Sequence, residues 1–318
     1  MELIKKQKNN LQEYSAMLAL VVLVFLLSMI SPEFRTVSNI LNLLRQASVN
    51  GLIAFGMTAV ILTGGIDLAV GSVLALSSAL TAGLIVNVGM PVPIALLLGL
   101  LTGAVLGLIS GFFVGKSKLQ PFIATLVTTT VYRGLTLIYT GGRPISGVTS
   151  SDYTGSSLLA FIGRESIVGI PVPVIILILA FILMYILLNK TALGRKIYAV
   201  GSNETTAKLA GINTAKVKLF VYTLSGVMST VAALILISRL NSAQPNLGAG
   251  YELDAIAATA IGGTSMEGGR GKITGTLIGV LIIAVLSNGM NILGISSYYQ
   301  DVVKGLVILV AVLADRRK

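Results

Sequence analysis

The stretch GGIDLAVGS, residues 64–72, is the first place in this chain where residue types and spacing suggest chemistry. Gly64 and Gly65 interrupt an apolar helix, Asp67 follows, and a second helix opens at Gly71 and Ser72. A broken helix in a bilayer exposes backbone groups, which is tolerated only where protein covers them or a cavity waters them. An acid beside such a break marks a solute path or a structural hinge. The plainer alternative is a tight turn on the cytoplasmic side in which Asp67 caps the next helix. Tyr251-Glu252-Leu253-Asp254 forms a second acidic group. Its two carboxylates can bond sugar hydroxyls at a membrane entrance, or complement the dipole at a helix N-terminus. Asp301 and Lys304 stand three apart and so share a helix face, as a structural pair or a binding site. Arg133 falls inside an apolar span, where it must snorkel, bond carbonyls or face the bundle interior.

Other chemistries are excluded. The chain has no Cys, His or Trp, which removes disulfides, thiolate chemistry, Cys/His metal sites and Ser-His-Asp triads. Gly115-Lys116-Ser117 and Gly271-Lys272 approach the phosphate-loop pattern. The first has Ser110 at the leading glycine position; the second has Met266 there and Ile273 in place of Ser/Thr. Neither binds ATP by that motif.

The elements that position these residues are membrane helices. The 318 residues are 54% hydrophobic and 11% charged, with a mean hydropathy of +0.91. So few charges do not coat a globule in water. Ten apolar segments are candidate spans: 14–30, 48–64, 68–87, 93–115, 122–140, 171–189, 218–238, 252–265, 273–290 and 299–314. The second, third and eighth are the weakest, being short or Gly-rich and bordering polar motifs. The first resembles a signal peptide, but its apolar run is long and lacks a small-x-small site, so it reads as a retained helix.

The net charge of +11 reflects orientation rather than nucleic acid binding. Lys5, Lys6, Lys8, Lys116, Lys118, the basic loop 190–217 with Lys218, Arg270, Lys272, Arg316, Arg317 and Lys318 fall on one side; Arg35, Arg45, Arg143, Arg164 and Arg239 fall on the other. The positive-inside rule then puts both termini in the cytoplasm, with 141–170 outside and 190–217 inside. Residues 1–318 read as one domain. The breaks at 57–76 and 257–280 share a loose pattern of apolar helix, Gly-Gly, polar insert and new helix; whether this is a true repeat stays open.

In the inside loop, Asn203 can cap a short helix running to Ala210, with Gly211 ending it. That is either a docking element or a solvated connector.

The segments 56–72, 120–134, 192–213 and 242–279, the last being the most specific, resemble the permease subunit of bacterial ribose ABC importers from about Ser31 onward. The resemblance implies an all-α polytopic transmembrane bundle of about ten helices, some short or broken, in the bacterial inner membrane. It implies a homodimer with the sugar path along its axis. Further partners are cytoplasmic ATP-binding cassette subunits, fused or separate, a periplasmic or lipid-anchored sugar-binding protein, and membrane lipid, without nucleic acid. No cofactor is expected in this chain and no catalysis; ATP and magnesium belong to the partner subunits. Residues 203–212 match the family's coupling helix: Asn203, Glu204, Thr205, Thr206, Ala207, Lys208, Leu209, Ala210, Gly211 and Ile212. Bulky or charge-reversing changes at Glu204 and Ala207 are expected to uncouple ATP use from uptake. The path candidates are Gly64, Gly65, Asp67, Asp254 and Asn288. The rival reading is a proton-coupled secondary sugar transporter using Asp67, Asp254 and Asp301. A prenyl transferase would need paired acidic motifs that the sequence lacks.

Overall fold

A computed structural model describes residues 2–117 and 119–316, with side chains placed for 16–117, 119–310 and 313. Lys118, Arg317 and Lys318, and the side chains of Lys5, Lys6, Lys8 and Arg316, lie outside the described residues. The described chain is all-α. It runs α1 (Glu2–Ile30), α2 (Val37–Leu62), α3 (Val70–Val86), α4 (Val92–Gly115), α5 (Pro121–Thr140), α6 (Ser156–Arg164) and α7 (Val172–Lys190). Then come α8 (Ala192–Ser202), α9 (Glu204–Leu209), α10 (Thr214–Leu240), α11 (Tyr251–Ile261), α12 (Ile273–Ile292) and α13 (Ser297–Arg316). Each of the ten apolar segments falls on one of these helices in order. Five of them, α4, α5, α7, α10 and α12, are long and apolar enough by themselves to cross a membrane.

Of the three segments predicted to be weakest, the second lies in α2, which is 26 residues long, while α3 and α11 are short. At about 1.5 Å per residue α3 reaches roughly 25 Å and α11 roughly 16 Å, against a hydrocarbon layer of about 30 Å. Both are followed or preceded by irregular backbone, so both must be enclosed. Nearly all of α3 is buried, as is the second half of α2. By contrast α1, α4, α5, α7 and α13 present exposed Leu, Ile, Val and Phe along their outer faces, such as Leu97, Leu101, Phe122, Leu126, Leu179 and Leu183. In lipid this is the expected arrangement, because an apolar side chain gains little by leaving lipid tails for a protein interior.

What holds the bundle is close backbone approach. Gly99, Gly103, Gly107, Gly111 and Gly115 recur every fourth residue along one face of α4. A methyl group at Gly103 would strike the Thr230 hydroxyl, one at Gly107 the Tyr222 carbonyl, and one at Gly111 would lie 3.0 Å from the Leu219 Cα. Gly99 faces Thr81 of α3, and the other four let α4 lie directly on α10, so that dispersion and small-residue packing replace a hydrophobic drive.

The loop 141–170 is folded. Its apolar patch forms α6, whose Gly163 packs on Ser238 of α10 and whose Arg164 Nε donates to the Ser238 carbonyl at 2.7 Å. Strand β1 (Ile145–Ser146) pairs antiparallel with β4 (Ser242–Ala243), Ile145 opposite Ala243. Strands β2 (Ser166–Ile167) and β3 (Ile170–Pro171) form a hairpin before α7. Asn241 adopts a left-handed conformation after α10 and accepts from the Thr149 amide and hydroxyl, at 2.9 and 2.8 Å.

Candidate functional site

The first helix break, 63–69, buries Thr63, Gly65, Asp67 and Ala69 and leaves Gly64 exposed at its turn. Gly64 takes φ +78°, a conformation that side chains strain to adopt, and turns the chain out of α2. The freed Ile66 carbonyl accepts from Tyr222 Oη of α10 at 3.1 Å and from Thr125 Oγ1 of α5 at 3.3 Å. Asp67 is 2% exposed. Its Oδ1 accepts from the Ala69 amide at 3.0 Å, just ahead of α3, and its Oδ2 from Ser225 Oγ of α10 at 2.8 Å. The N-cap of α3 is Ala69, with no side-chain cap, so Asp67 does not cap that helix as the turn alternative asked; it bonds the turn two residues ahead and fastens the break to α10. A Cβ on Gly65 would lie 2.6 Å from Tyr222 Oη, so only glycine fits beneath that hydroxyl.

The second break, 262–272, meets the first. The Gly269 amide donates to the Leu62 carbonyl at 2.9 Å, and a Cβ on Gly268 would lie 2.7 Å from the Gly64 amide nitrogen. Below this contact Thr58 of α2 shares a hydrogen bond with Thr276 of α12 at 2.8 Å. The two Gly-rich segments that look alike in sequence are thus neighbours in space.

The remaining polar candidates are fastened as well. Asp254, 6% exposed in the first turn of α11, receives Lys304 Nζ of α13 at 3.0 and 3.1 Å on its two oxygens. Lys304 takes this partner across the helix interface instead of Asp301 on its own helix. The sequence could propose the i,i+3 neighbour; a partner fifty residues away has no local signature. Asn288 of α12 forms a reciprocal amide pair with Asn39 of α2, at 3.0 and 2.8 Å. Arg133 of α5 donates to the carbonyls of Pro245 and Leu247, at 2.8 and 3.0 Å, closing the loop ahead of α11.

The loop 190–217 holds two helices. Asn203 caps α9 as expected, its Oδ1 accepting from the Thr206 amide at 2.8 Å, and Gly211 at φ +80° ends the turn. Within α9, Ala207 is buried and Leu209 is 85% exposed, while Thr205, Thr206, Lys208 and Ala210 face outward. Glu204 is turned back: it accepts from Lys208, Lys218 and Thr214 at 2.8, 2.6 and 3.1 Å. Glu204 and Ala207 therefore anchor α9 to the body, and a docking surface would be formed by Leu209 and its exposed neighbours. The second helix, α8, was not legible as a helix beforehand. Its signals are Thr191, whose hydroxyl accepts from the Gly194 amide at 3.0 Å, and buried Gly194, Ile197 and Val200 at threefold spacing. A cleft of about 860 Å³ opens between α9, the start of α10 and the α4–α5 turn, lined by Lys116, Gln120, Glu204, Lys208, Asn213 and Lys218 among others.

Burial alone would raise the Glu204 pKa, but the Lys208 and Lys218 hydrogen bonds, the Lys218 charge and the Thr214 hydroxyl outweigh it and hold it at about 2. A carboxylate depressed in the folded state contributes stability that is complete above its unfolded value and fades as pH falls toward the folded one. The anchoring of α9 is expected to be constant from pH 8 to 5 and to weaken below about pH 4. Hydrogen exchange at the Ile212 amide, bonded to Ala207, reads this after correction for intrinsic rates. Protection unchanged down to pH 3 would contradict it, and Glu204→Gln should abolish the dependence.

Residues 39–312 match the family described as branched-chain amino acid transport system / permease component. The chain is 56% identical to the ribose import permease protein RbsC of Bacillus subtilis (strain 168), over 97% of this chain and 94% of that one. It is 48% identical to the ribose import permease protein RbsC of Escherichia coli (strain K12), over 98% and 96%. It is 40% identical to the D-allose transport system permease protein AlsC of the same organism, over 96% and 91%. No solved structure matches the chain.

Proposed function

This chain belongs to the family of branched-chain amino acid transport system permease components, and from that premise we propose that it is the membrane-spanning subunit of a ribose ABC importer. The observation that carries the reading is the 56% identity to a ribose import permease along almost the whole of both chains. It is a multi-pass protein of the inner membrane, in keeping with its five long apolar helices.

The finer reading has ten crossings with both termini in the cytoplasm, supported by the order of the helices and by the charge bias. Two copies assemble with the sugar path along their common axis. Each α9 docks on a cytoplasmic ATP-binding cassette, where ATP and magnesium are held, and a sugar-binding protein docks outside. ATP draws the cassettes together and α9 follows them, so the permease pair rocks between inward and outward states. Each ligand moves that equilibrium only by its differential affinity for the two states. The support for α9 as the docking element is its capped ends, its anchoring by Glu204, and an exposed leucine at its tip. Gly64, Gly65 and Asp67 act here as a hinge at the break, with the path running past it. The secondary-transporter reading is not favoured, since Asp67 and Asp254 are both bonded inside the protein.

The test is uptake of radiolabelled ribose into proteoliposomes holding the chain and its co-purifying partners, with ATP inside and the binding protein outside. Uptake requiring both is expected, with unlabelled ribose competing better than allose. Uptake by this chain alone that stops when the proton gradient collapses would overturn the reading.

A further inference from the structure

We propose that α8 is a rigid relay that delivers the displacement of α9 to both helix breaks at once, with Gly201 and Tyr198 as its positioning residues. The inference rests on the importer reading above and goes beyond it by naming where the force enters the membrane domain.

Only Asn203 separates α8 from α9, so a displacement of α9 larger than the few ångströms one residue can absorb carries the last turn of α8 with it. That last turn lies against the point where the two breaks touch. A methyl group at Gly201 would strike the Leu62 carbonyl oxygen at the end of α2 and approach the Gly269 amide within 2.5 Å. Those same two atoms are hydrogen-bonded to each other. A Cβ on Gly269 would lie 2.7 Å from the Ser202 amide and Cα, and one on Gly268 would lie 3.2 Å from the Gly201 Cα. One turn earlier, Tyr198 Oη donates to the Gly271 carbonyl at 3.0 Å. Three chain segments, 62–64, 198–202 and 268–271, therefore meet backbone against backbone.

The chemistry of that contact matters. A junction made through long side chains absorbs a push by changing rotamers. One made through main-chain atoms and glycines has no such slack, because packed interiors transmit displacement. The push also lands where it has most effect. Thr63, Gly64 and Gly65 still bond back to the last turn of α2, but the residues from Ile66 to Ala69 and those around Gly269 lie outside any helix, and such segments can change φ and ψ without breaking one. The near end of α8 is equally fixed: Gly194 packs directly on the Leu187 and Leu188 carbonyls at the end of α7. The helix is held at α7, loaded at α9, and bears on the breaks.

The experiment uses the complete transporter with its ATPase and binding protein, and reads ribose imported per ATP hydrolysed in Gly201→Ala and Tyr198→Phe. In Gly201→Ala the ratio is expected to fall about tenfold while the ATPase still co-purifies in wild-type amount and hydrolyses ATP. In Tyr198→Phe, which keeps the ring and loses one hydroxyl, a drop of about threefold is expected. A merely structural role would lower uptake and hydrolysis together and leave the ratio alone, and that result in both variants would overturn the relay. Should Gly201→Ala fail to assemble, the Tyr198→Phe ratio decides. A wild-type complex without ATP-dependent uptake would instead sink the importer reading, and the relay with it.

Discussion

Replacing Leu209 with aspartate should abolish ATP-driven uptake while leaving the membrane domain folded. The side chain is 85% exposed on a helix whose neighbours Glu204 and Ala207 face inward, so it contributes little to internal packing. Substitutions at such positions shift stability by about 0.5 kcal/mol or less. At a docked interface the same leucine would be an apolar anchor. Removing an anchor costs about 2–4 kcal/mol, and the new carboxylate adds a desolvation penalty. Affinity for the ATPase should therefore fall by about 30- to 1,000-fold. The measurement is ATPase co-purification alongside ribose uptake, with Leu209→Met as the variant that keeps both. If Leu209→Asp retains wild-type ATPase and uptake, α9 does not dock through this residue.

The second large effect is expected at Lys304. Changing it to alanine leaves the Asp254 carboxylate buried with its ion-pair partner gone, and breaking a buried pair on one side costs about 3–5 kcal/mol. Removing both charges behaves differently. The double variant Asp254→Leu, Lys304→Met should recover most of the loss, because apolar replacements of a buried pair are often neutral or better. Unfolding in denaturing detergent reads both. A Lys304→Ala protein as stable as wild type would show that the pair holds nothing together. The double variant also bears on transport: a folded protein that no longer imports sugar would give Asp254 a role in the path, whereas normal uptake would make it a staple between α11 and α13.

The helices on the ten apolar segments were legible because each shows itself within its own stretch of sequence, and the breaks because a Gly-Gly step followed by a polar insert is a local signature. The cap on α9 was legible for the same reason. Partners were not. Lys304 has Asp301 one turn away, and nothing nearby announces Asp254; Asn288 and Arg133 likewise find Asn39 and two loop carbonyls far along the chain. Helix α8 was hidden because it is short and amphipathic, without the long apolar run that identifies a span. The α4 glycines were visible as a spacing of four, but their meaning required knowing that α10 lies opposite.

The break after α2 also sets a problem for synthesis. Two of the groups that satisfy the Ile66 carbonyl and the Asp67 carboxylate, Tyr222 and Ser225, lie 156 and 158 residues further along the chain. At about 5–20 residues per second, ribosomes reach them roughly 8 to 30 s after the break emerges. Through that interval the aspartate and the Ile66 carbonyl have no α10 to bind, and the break, on the cytoplasmic side in the ten-crossing reading, has to stay in contact with water rather than sink into lipid. The α2–α3 hairpin must then be kept at the insertion machinery, or in the water-facing mouth beside it, until α10 arrives. The residues that make the hinge thereby also set the order in which the nascent helices can be released into the bilayer.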